Sequence, residues 1–124
     1  MNPSPFQVKS RLVKDVAVVY PQGYLNNLAG EGLVNECGKY AKSGIKKIVV
    51  NFRETDLINS IGISLLLHVM EELQGAGGTL CFTDMSKTQL GIFEMLGLTK
   101  YFRFFQDENG ALQFLAAGGV GDGA

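Results

Sequence analysis

Ser60 is the residue of this 124-residue chain whose surroundings most suggest a chemical role. It follows a short apolar run ending at Phe52 and a polar loop. It precedes a longer run, residues 61–73, in which apolar side chains recur at helical spacing. The pattern places Ser60 at or next to a helix N-terminus. Asn59 or Ser60 can cap that helix, and a phosphate on Ser60 would meet its unpaired N–H groups and positive dipole end. Residue types alone favour the cap.

A catalytic site is harder to build around Ser60. His68 lies eight positions further along the predicted helix. That spacing is about 12 Å along the helix axis, too far for a serine to use His68 as its base. Glu54 and Asp56 could act as an acid and base pair, but charged residues in a short loop are usually only solvated. The sequence also lacks a glycine-rich phosphate-binding motif. We therefore predict a protein that is not an enzyme and takes no cofactor.

Metal binding and thiol chemistry are not predicted either. His68 is the single histidine, and no ligand spacing surrounds it. Cys37 shares a predicted helical face with apolar residues, and Cys81 lies inside an apolar strand. Both cysteines are predicted to be small core residues, so the sequence indicates no metal site.

The elements that position Ser60 follow from the apolar pattern. Residues 48–52 form a nearly continuous β-branched and aromatic run, typical of a central parallel strand buried on both faces. The other predicted elements are an edge hairpin (6–12 and 16–20, with Tyr24 and Leu25 finishing the return strand), a helix capped by Asn26 or Asn27 and ending near Ser43, a strand (79–83), a helix capped by Asp84 or Ser86 with Leu90, Phe93 and Leu96 facing inward, a strand (101–105) and a helix (109–115).

This order predicts one α/β domain, with a mixed β-sheet, an N-terminal antiparallel edge hairpin and helices packed on the sheet. The domain is expected to span residues 1–116, followed by a disordered glycine-rich tail over 117–124. Partners of such sheets tend to bind at the carboxyl ends of the parallel strands. The loops there, residues 24–28, 53–60 and 83–86, are therefore expected to converge on Ser60.

The helix after Ser60 is apolar nearly all round, which leaves two roles for some of its side chains. Packing in the core accounts for Leu65, Leu66 and Val69. Core packing and contact with a protein partner remain equally open for Ile63, Leu67 and Met70.

Composition limits the classes of partner. Eleven basic and twelve acidic residues give a net charge of −1 without long blocks of like charge, which argues against binding to nucleic acid. No apolar stretch reaches membrane-spanning length, and the first residues do not resemble a signal peptide. We therefore expect a cytoplasmic protein that does not insert into membranes. A homodimer is left open.

Three segments resemble a known family in the expected order. They are residues 58–63 (Ile-Asn-Ser-Ile-Gly-Ile) after a strand and loop, residues 77–80 (Gly-Gly-Thr-Leu) leading into a strand, and residues 93–98 (Phe-Glu-Met-Leu-Gly-Leu) before the last strand. Together they resemble STAS domains, the family of bacterial anti-sigma factor antagonists and of sulfate-transporter cytoplasmic domains. Ser60 falls on the family's phosphorylatable serine and Gly62 on its glycine. Asn59 and Asn26 stand where the family usually has Asp, and Ile61 replaces a Ser or Thr.

The resemblance implies a regulatory module that binds an anti-sigma factor with serine kinase activity, and that loses this partner when Ser60 is phosphorylated. The implied partner contacts are Asn26, Asn27, Asn59, Ser60, Ile61, Gly62, Ile63, Leu67 and Met85. Because Asn59 and Asn26 lack the carboxylates that a kinase could use, we expect Ser60 to be phosphorylated slowly or not at all. The alternative role is a scaffold or a subunit associated with a lipid or anion transporter, in which Ser60 is only a cap.

Overall fold

The computed structural model describes residues 7–118, which form a six-stranded mixed β-sheet and four α-helices. The strands are β1 (Gln7–Val13), β2 (Val16–Leu25), β3 (Lys47–Asn51), β4 (Thr55–Ile58), β5 (Thr79–Thr83) and β6 (Arg103–Phe105). The helices are α1 (Asn27–Lys42), α2 (Ser60–Gly75), α3 (Lys87–Met95) and α4 (Glu108–Ala116). Most of the predicted tail, from residue 119 onward, lies outside the described residues, as does Phe6 in the predicted first strand.

Five strands lie in the order β1-β2-β3-β5-β6, and β4 pairs with the last residues of β2. The pairing of β1 with β2 is antiparallel, and the other described pairings are parallel. The hairpin turn contains Lys14 and Asp15, with Lys14 at a φ of 57°. The predicted fold class, including the antiparallel edge hairpin, is confirmed.

The central strand β3 is buried on both faces, as its apolar run predicts. Ile48 and Val50 belong to the larger core, which lies under α1, α2 and α3. Val49 points to the smaller core, where it packs with Cys81 and with α4. Because helices cover both faces of the sheet, the strand has no solvent-facing side that would require alternation with polar residues.

The four helices all begin at the same edge of the sheet, where the parallel strands end. Their N-caps are Asn26, Asn59, Ser86 and Asp107. Each helix then returns along the sheet toward the edge where the parallel strands begin. The predicted end of α1 is confirmed, since Ser43 is its C-cap and Gly44 follows at a φ of 94°.

The predicted polar loop over 53–60 contains a strand. Thr55 and Ile58 of β4 are buried, while Asp56 and Leu57 between them are exposed. Two exposed residues between two buried ones break the alternation that reveals a strand. The main chain is nevertheless held by pairing with β2, where the register shifts between Gly23 and Tyr24.

The last part of the domain also differs from the prediction. Strand β6 begins at Arg103 rather than at residue 101, because its described pairing with β5 starts there. Leu96 was predicted to face inward with Leu90 and Phe93, but it is the C-cap of α3 and 55% exposed. Phe93 is fully buried, as predicted, and Leu90 is half-buried.

Candidate functional site

Ser60 is the first residue of α2, and Asn59 is the N-cap. The Asn59 side-chain Oδ1 accepts a hydrogen bond from the backbone N–H of Gly62 at 2.8 Å. Ser60 is exposed to solvent. The interpretation of Ser60 as only a cap is therefore wrong, because Asn59 already supplies the oxygen that the first turn requires.

The start of α1 lies beside the start of α2. Asn26 caps α1, and its Oδ1 accepts from the backbone N–H of Ala29 at 3.1 Å. The preceding residue, Leu25, accepts a hydrogen bond through its carbonyl oxygen from the backbone N–H of Asn59 at 3.1 Å. One main-chain hydrogen bond thus joins the two capped helix ends, and Ser60 lies next to that junction.

Gly62 sets how closely α2 approaches β2. A Cβ at this position would lie 2.3 Å from the carbonyl oxygen of Leu25. That distance is far shorter than a van der Waals contact, so a residue with a side chain would force the helix away from the strand. Gly62 therefore fixes the position of the first turn of α2, which carries Ser60.

Gln89, in the first turn of α3, connects the loop over residues 83–86 to the segment over residues 53–60. The Gln89 Nε2 donates to the backbone oxygen of Thr55 at 2.8 Å, and the Thr55 hydroxyl donates to the oxygen of Pro21 at 2.7 Å. Gln89 also completes a capping box with Ser86 at the start of α3. Strands β2 and β4 and helix α3 are therefore fixed relative to one another, as the predicted convergence of the loops requires.

Four large apolar side chains are exposed around Ser60. They are Tyr24 (47% exposed), Leu28 (65%), Leu57 (61%) and Ile61 (50%). Tyr24 pairs with Leu57 across β2 and β4, and the other two lie in the first turns of α1 and α2. We call these four residues the apolar collar. A grouping of this kind is typical of a surface that contacts another protein.

Only Ile61 of the apolar collar was among the predicted contacts. Tyr24 was assigned to the end of a strand, Leu28 to the start of a helix and Leu57 to a polar loop. The usable signal was the presence of large apolar residues in two of the segments that were expected to meet, residues 24–28 and 53–60. The sequence alone did not separate these residues from Leu25 and Ile58, which lie in the same segments but are buried.

The comparisons with known proteins agree with this geometry. The family model described as STAS domain matches residues 7–111 of the chain. The chain belongs to the STAS domain family. The match covers every strand, α1 to α3 and the first turn of α4. The family resemblance predicted from three short segments is therefore confirmed.

Solved structures share the fold of this STAS domain at low sequence identity. An anti-sigma factor antagonist from Mycobacterium paratuberculosis is 17% identical, with a TM-score of 0.80 over 91% of this chain and 97% of that one. The Bacillus cell fate determinant SpoIIAA in its phosphorylated form is 23% identical, with a TM-score of 0.67 over 89% and 98%. A sulfate transporter family protein from Wolinella succinogenes is 16% identical, with a TM-score of 0.69 over 86% and 90%.

The charge around Ser60 in this STAS domain differs from the charge that carboxylates at positions 26 and 59 would create. The side chains that cap α1 and α2, Asn26 and Asn59, are neutral amides. Neither helix has an acidic residue in its first turn. The positive ends of two adjacent helix dipoles therefore meet near Ser60 without a capping carboxylate, an arrangement that favours a negative charge on the serine.

The structure separates the remaining predicted contacts into exposed and buried residues. Asn27 is exposed and remains available to a partner. Gly62 and Ile63 are both buried, and Ile63 packs in the main core at 5% exposure, so we remove both from the contact set. Met70, for which both roles were open, is also in the core at 8% exposure. Leu67 and Met85 are half-buried and pack against the same core, which leaves each with a small accessible surface.

The residues that could support other chemistry lie away from Ser60 or are unsuited to it. Burial raises the pKa of the Cys37 and Cys81 thiols to about 12, so both stay protonated at neutral pH. His68 is largely exposed, and its Nε2 lies 3.8 Å from the Oε1 of Glu72, one turn further along α2. Within residues 7–118, no group of three or more acidic, histidine or cysteine residues could hold a metal ion. No helix in this part of the chain is long and apolar enough to cross a membrane.

Replacing Asn59 with alanine is expected to lower the free energy of unfolding by about 1 kcal/mol, because the N–H of Gly62 loses its acceptor. Asn59→Asp keeps an acceptor oxygen and adds a charge that suits the helix dipole. That variant should be as stable as wild type or more stable by about 0.3–1 kcal/mol at neutral pH. Urea unfolding of the three proteins measures both effects. Equal stability of wild type and Asn59→Ala would contradict the capping role.

Proposed function

We propose that this STAS domain is a non-enzymatic regulatory module that binds an anti-sigma factor of the serine kinase type. Ser60 and the apolar collar form the contact surface, and a phosphate on Ser60 ends the binding. Release of a sigma factor from its anti-sigma factor would follow from the binding. This role places the domain in the cytoplasm, where sigma factors act.

The observation that carries the proposal is the exposed Ser60 surrounded by an apolar collar. A kinase needs a serine hydroxyl that it can reach, and the first residue of α2 is exposed. A partner needs an apolar contact area, and four large side chains supply one. Protein interfaces commonly combine an apolar centre with polar groups at its rim. The exposed Asn27 is such a polar group here.

A phosphate on Ser60 would have opposite effects on the free domain and on its complex with the partner. It adds about −1.5 to −2 charges at neutral pH. In the free domain these charges are favoured by the helix ends capped by Asn26 and Asn59. In the complex they would lie within an apolar contact, where removing their water is costly. Phosphorylation is therefore expected to stabilise the free domain and destabilise the complex.

The alternative is a scaffold or a subunit associated with a lipid or anion transporter. It is supported by the shared fold with a sulfate transporter family protein, although a fold alone does not define a function. In that role the same apolar collar would contact a transporter component, and the charge on position 60 would have no regulatory purpose.

Affinity capture from a lysate of the protein's own cells tests the proposal. Wild type, Ser60→Ala and Ser60→Glu serve as matched baits, and mass spectrometry identifies the captured proteins. A protein with serine kinase sequence motifs that binds wild type and Ser60→Ala but not Ser60→Glu supports the proposal. A permease or transport ATPase captured equally by all three baits would favour the alternative.

The amide caps give a prediction about the rate of phosphorylation. If the kinase uses carboxylates at these positions to orient the serine or its metal ion, their absence slows the reaction. Asn59→Asp combined with Asn26→Asp is then expected to accelerate phosphorylation of Ser60 by up to about a hundredfold, the loss that a misplacement of about 1 Å can cause. The rate is measured with the captured kinase and ATP, and Asn35→Asp on the exposed middle of α1 controls for added charge. Equal rates for wild type and the double variant would show that the amides are compatible with the kinase.

A further inference from the structure

The large exposed hydrophobic residues lie at the two ends of the sheet and not on its flanks. The four residues of the apolar collar lie where the parallel strands end. Met95 (80% exposed) ends α3, and Leu96 (55%) and Tyr101 (50%) lie between α3 and β6, at the edge where the parallel strands begin. Leu12 (54%) is close to the hairpin turn at that same edge. Within the described residues, these eight complete the set of exposed large hydrophobics.

The connections at the two ends also differ in charge. We call the edge that carries Ser60 the serine end and the opposite edge the lysine end. At the serine end, residues 52–59, 84–86 and 106–107 contain Glu54, Asp56, Asp84 and Asp107 but one basic residue, Arg53. At the lysine end, residues 14–15, 43–46, 76–78 and 96–102 contain Lys14, Lys46 and Lys100 but one acidic residue, Asp15.

Ion pairs within the domain leave most of these charges available. Asp84 pairs with Arg53 at 3.4 Å, and Asp15 pairs with Lys47 at 3.1 Å. Among the described residues, three carboxylates at the serine end and three lysines at the lysine end then remain outside the ion pairs. They are Glu54, Asp56 and Asp107 at one end and Lys14, Lys46 and Lys100 at the other.

Stabilisation of helix ends does not account for this separation. In the described helices, the acidic first-turn residue is Glu108 and the basic last-turn residues are Lys39 and Lys42. Of the six charges left outside the ion pairs, only Asp107 takes part in a helix end, as the N-cap of α4. The other five stabilise no helix end. Glu54 accepts a hydrogen bond from Gln22, and Lys100 lies 5.4 Å from the centroid of the Tyr101 ring, but neither contact neutralises the charge.

We propose that copies of this chain associate head to tail, with the serine end of one copy on the lysine end of the next. Each end offers exposed apolar side chains, and the connections around them carry net charges of opposite sign; in the adjoining α3, Lys87 and Glu94 are charges of the other sign. Two serine ends, or two lysine ends, would place like charges together and would repel. The contact is therefore heterologous, and each copy in a row leaves one end free for another.

The proposal of self-association does not rest on the proposed anti-sigma partner, but the two contacts would compete for the serine end. A partner bound there would cap a row of copies at one end. A phosphate on Ser60 would add to the negative charge that faces the lysine end of the neighbouring copy and would strengthen that attraction.

Because the two ends attract through exposed charges, self-association is expected to weaken as salt is added. Such charges are screened over about 10 Å at 0.1 M and about 3 Å at 1 M ionic strength.

Sedimentation velocity over a range of protein concentrations tests the proposal with two end variants. Leu57→Lys alters the serine end, and the combination of Met95→Ser and Lys100→Ser alters the lysine end. For each variant alone, the dissociation constant of self-association is expected to rise by at least about tenfold. An equimolar mixture is expected to restore a one-to-one dimer, because one intact serine end meets one intact lysine end. Gln113→Lys, on the exposed flank of α4, is the matched control and should associate as wild type does.

Several results would overturn the proposal. A wild type that stays monomeric at every concentration at low salt excludes it, and so does a dimer that persists in either end variant alone. Binding of a monomeric wild type to phosphatidylglycerol vesicles, lost in the lysine-end variant, would assign that end to an anionic lipid surface instead. If an end variant does not fold by circular dichroism, Ile61→Lys and Leu96→Ser replace it in the same mixing experiment.

Discussion

Replacing Gly62 with alanine is expected to destabilise the domain by about 3 kcal/mol or more, although alanine normally favours a helix over glycine by about 1 kcal/mol. The reversal arises from one contact, since the new Cβ would lie 2.3 Å from the carbonyl oxygen of Leu25. The atom that must yield is backbone in a buried strand and cannot rotate away. Relief requires α2 to move from β2, which also strains the hydrogen bond from Asn59 to Leu25.

Gly38→Ala is the matched control for this prediction. Gly38 also lies inside a helix, α1, but a Cβ there would meet no atom within 4 Å. Its replacement is expected to stabilise the domain by about 0.5–1 kcal/mol. Urea unfolding followed by circular dichroism compares the two variants with wild type. A Gly62→Ala variant as stable as Gly38→Ala would mean that α2 does not rest against Leu25.

The parts of the fold that could be predicted have strong local signals. The run at residues 48–52 identified the central strand, and Gly44 marked the end of α1. Strand β4 could not be predicted in this way. It is held by pairing with β2, a contact distant in sequence, and its exposed pair Asp56 and Leu57 conceals the alternation.

The residues of the candidate site could likewise be predicted where the signal is local and not where it depends on contacts distant in sequence. Asn26, Asn59 and Ser60 could be predicted because capping depends on residues close in sequence, and they were found at the starts of α1 and α2. Ile63 could not be assigned to the core or to an interface. Successive residues on a helix are 100° apart, so an error of one position moves a side chain from one face to another. Tertiary packing decides which face of each helix is buried, and the exposure of Leu28 and Ile61 in the apolar collar depends on it.

Changing Ser60 to glutamate is expected to weaken binding of the proposed anti-sigma factor by at least about tenfold. A charged side chain at the centre of the apolar collar would lose its water on binding without gaining a partner of opposite charge. Ser60→Ala should bind as wild type does, because Asn59 and not Ser60 caps α2. Isothermal calorimetry with the captured partner measures these affinities. Gln113→Glu places the same charge on the flank of α4 and should have no effect.

The stability of the same variants distinguishes lost contact from damaged structure. A negative charge on the first residue of α2 suits the positive end of the helix dipole, so Ser60→Glu should be as stable as wild type or more stable by about 0.3–1 kcal/mol. Binding and stability are then expected to change in opposite directions, which a misfolded variant cannot produce. Equal affinity of wild type, Ser60→Ala and Ser60→Glu would remove Ser60 from the contact surface. Glutamate carries less charge than phosphate, so the phosphorylated protein should bind more weakly still.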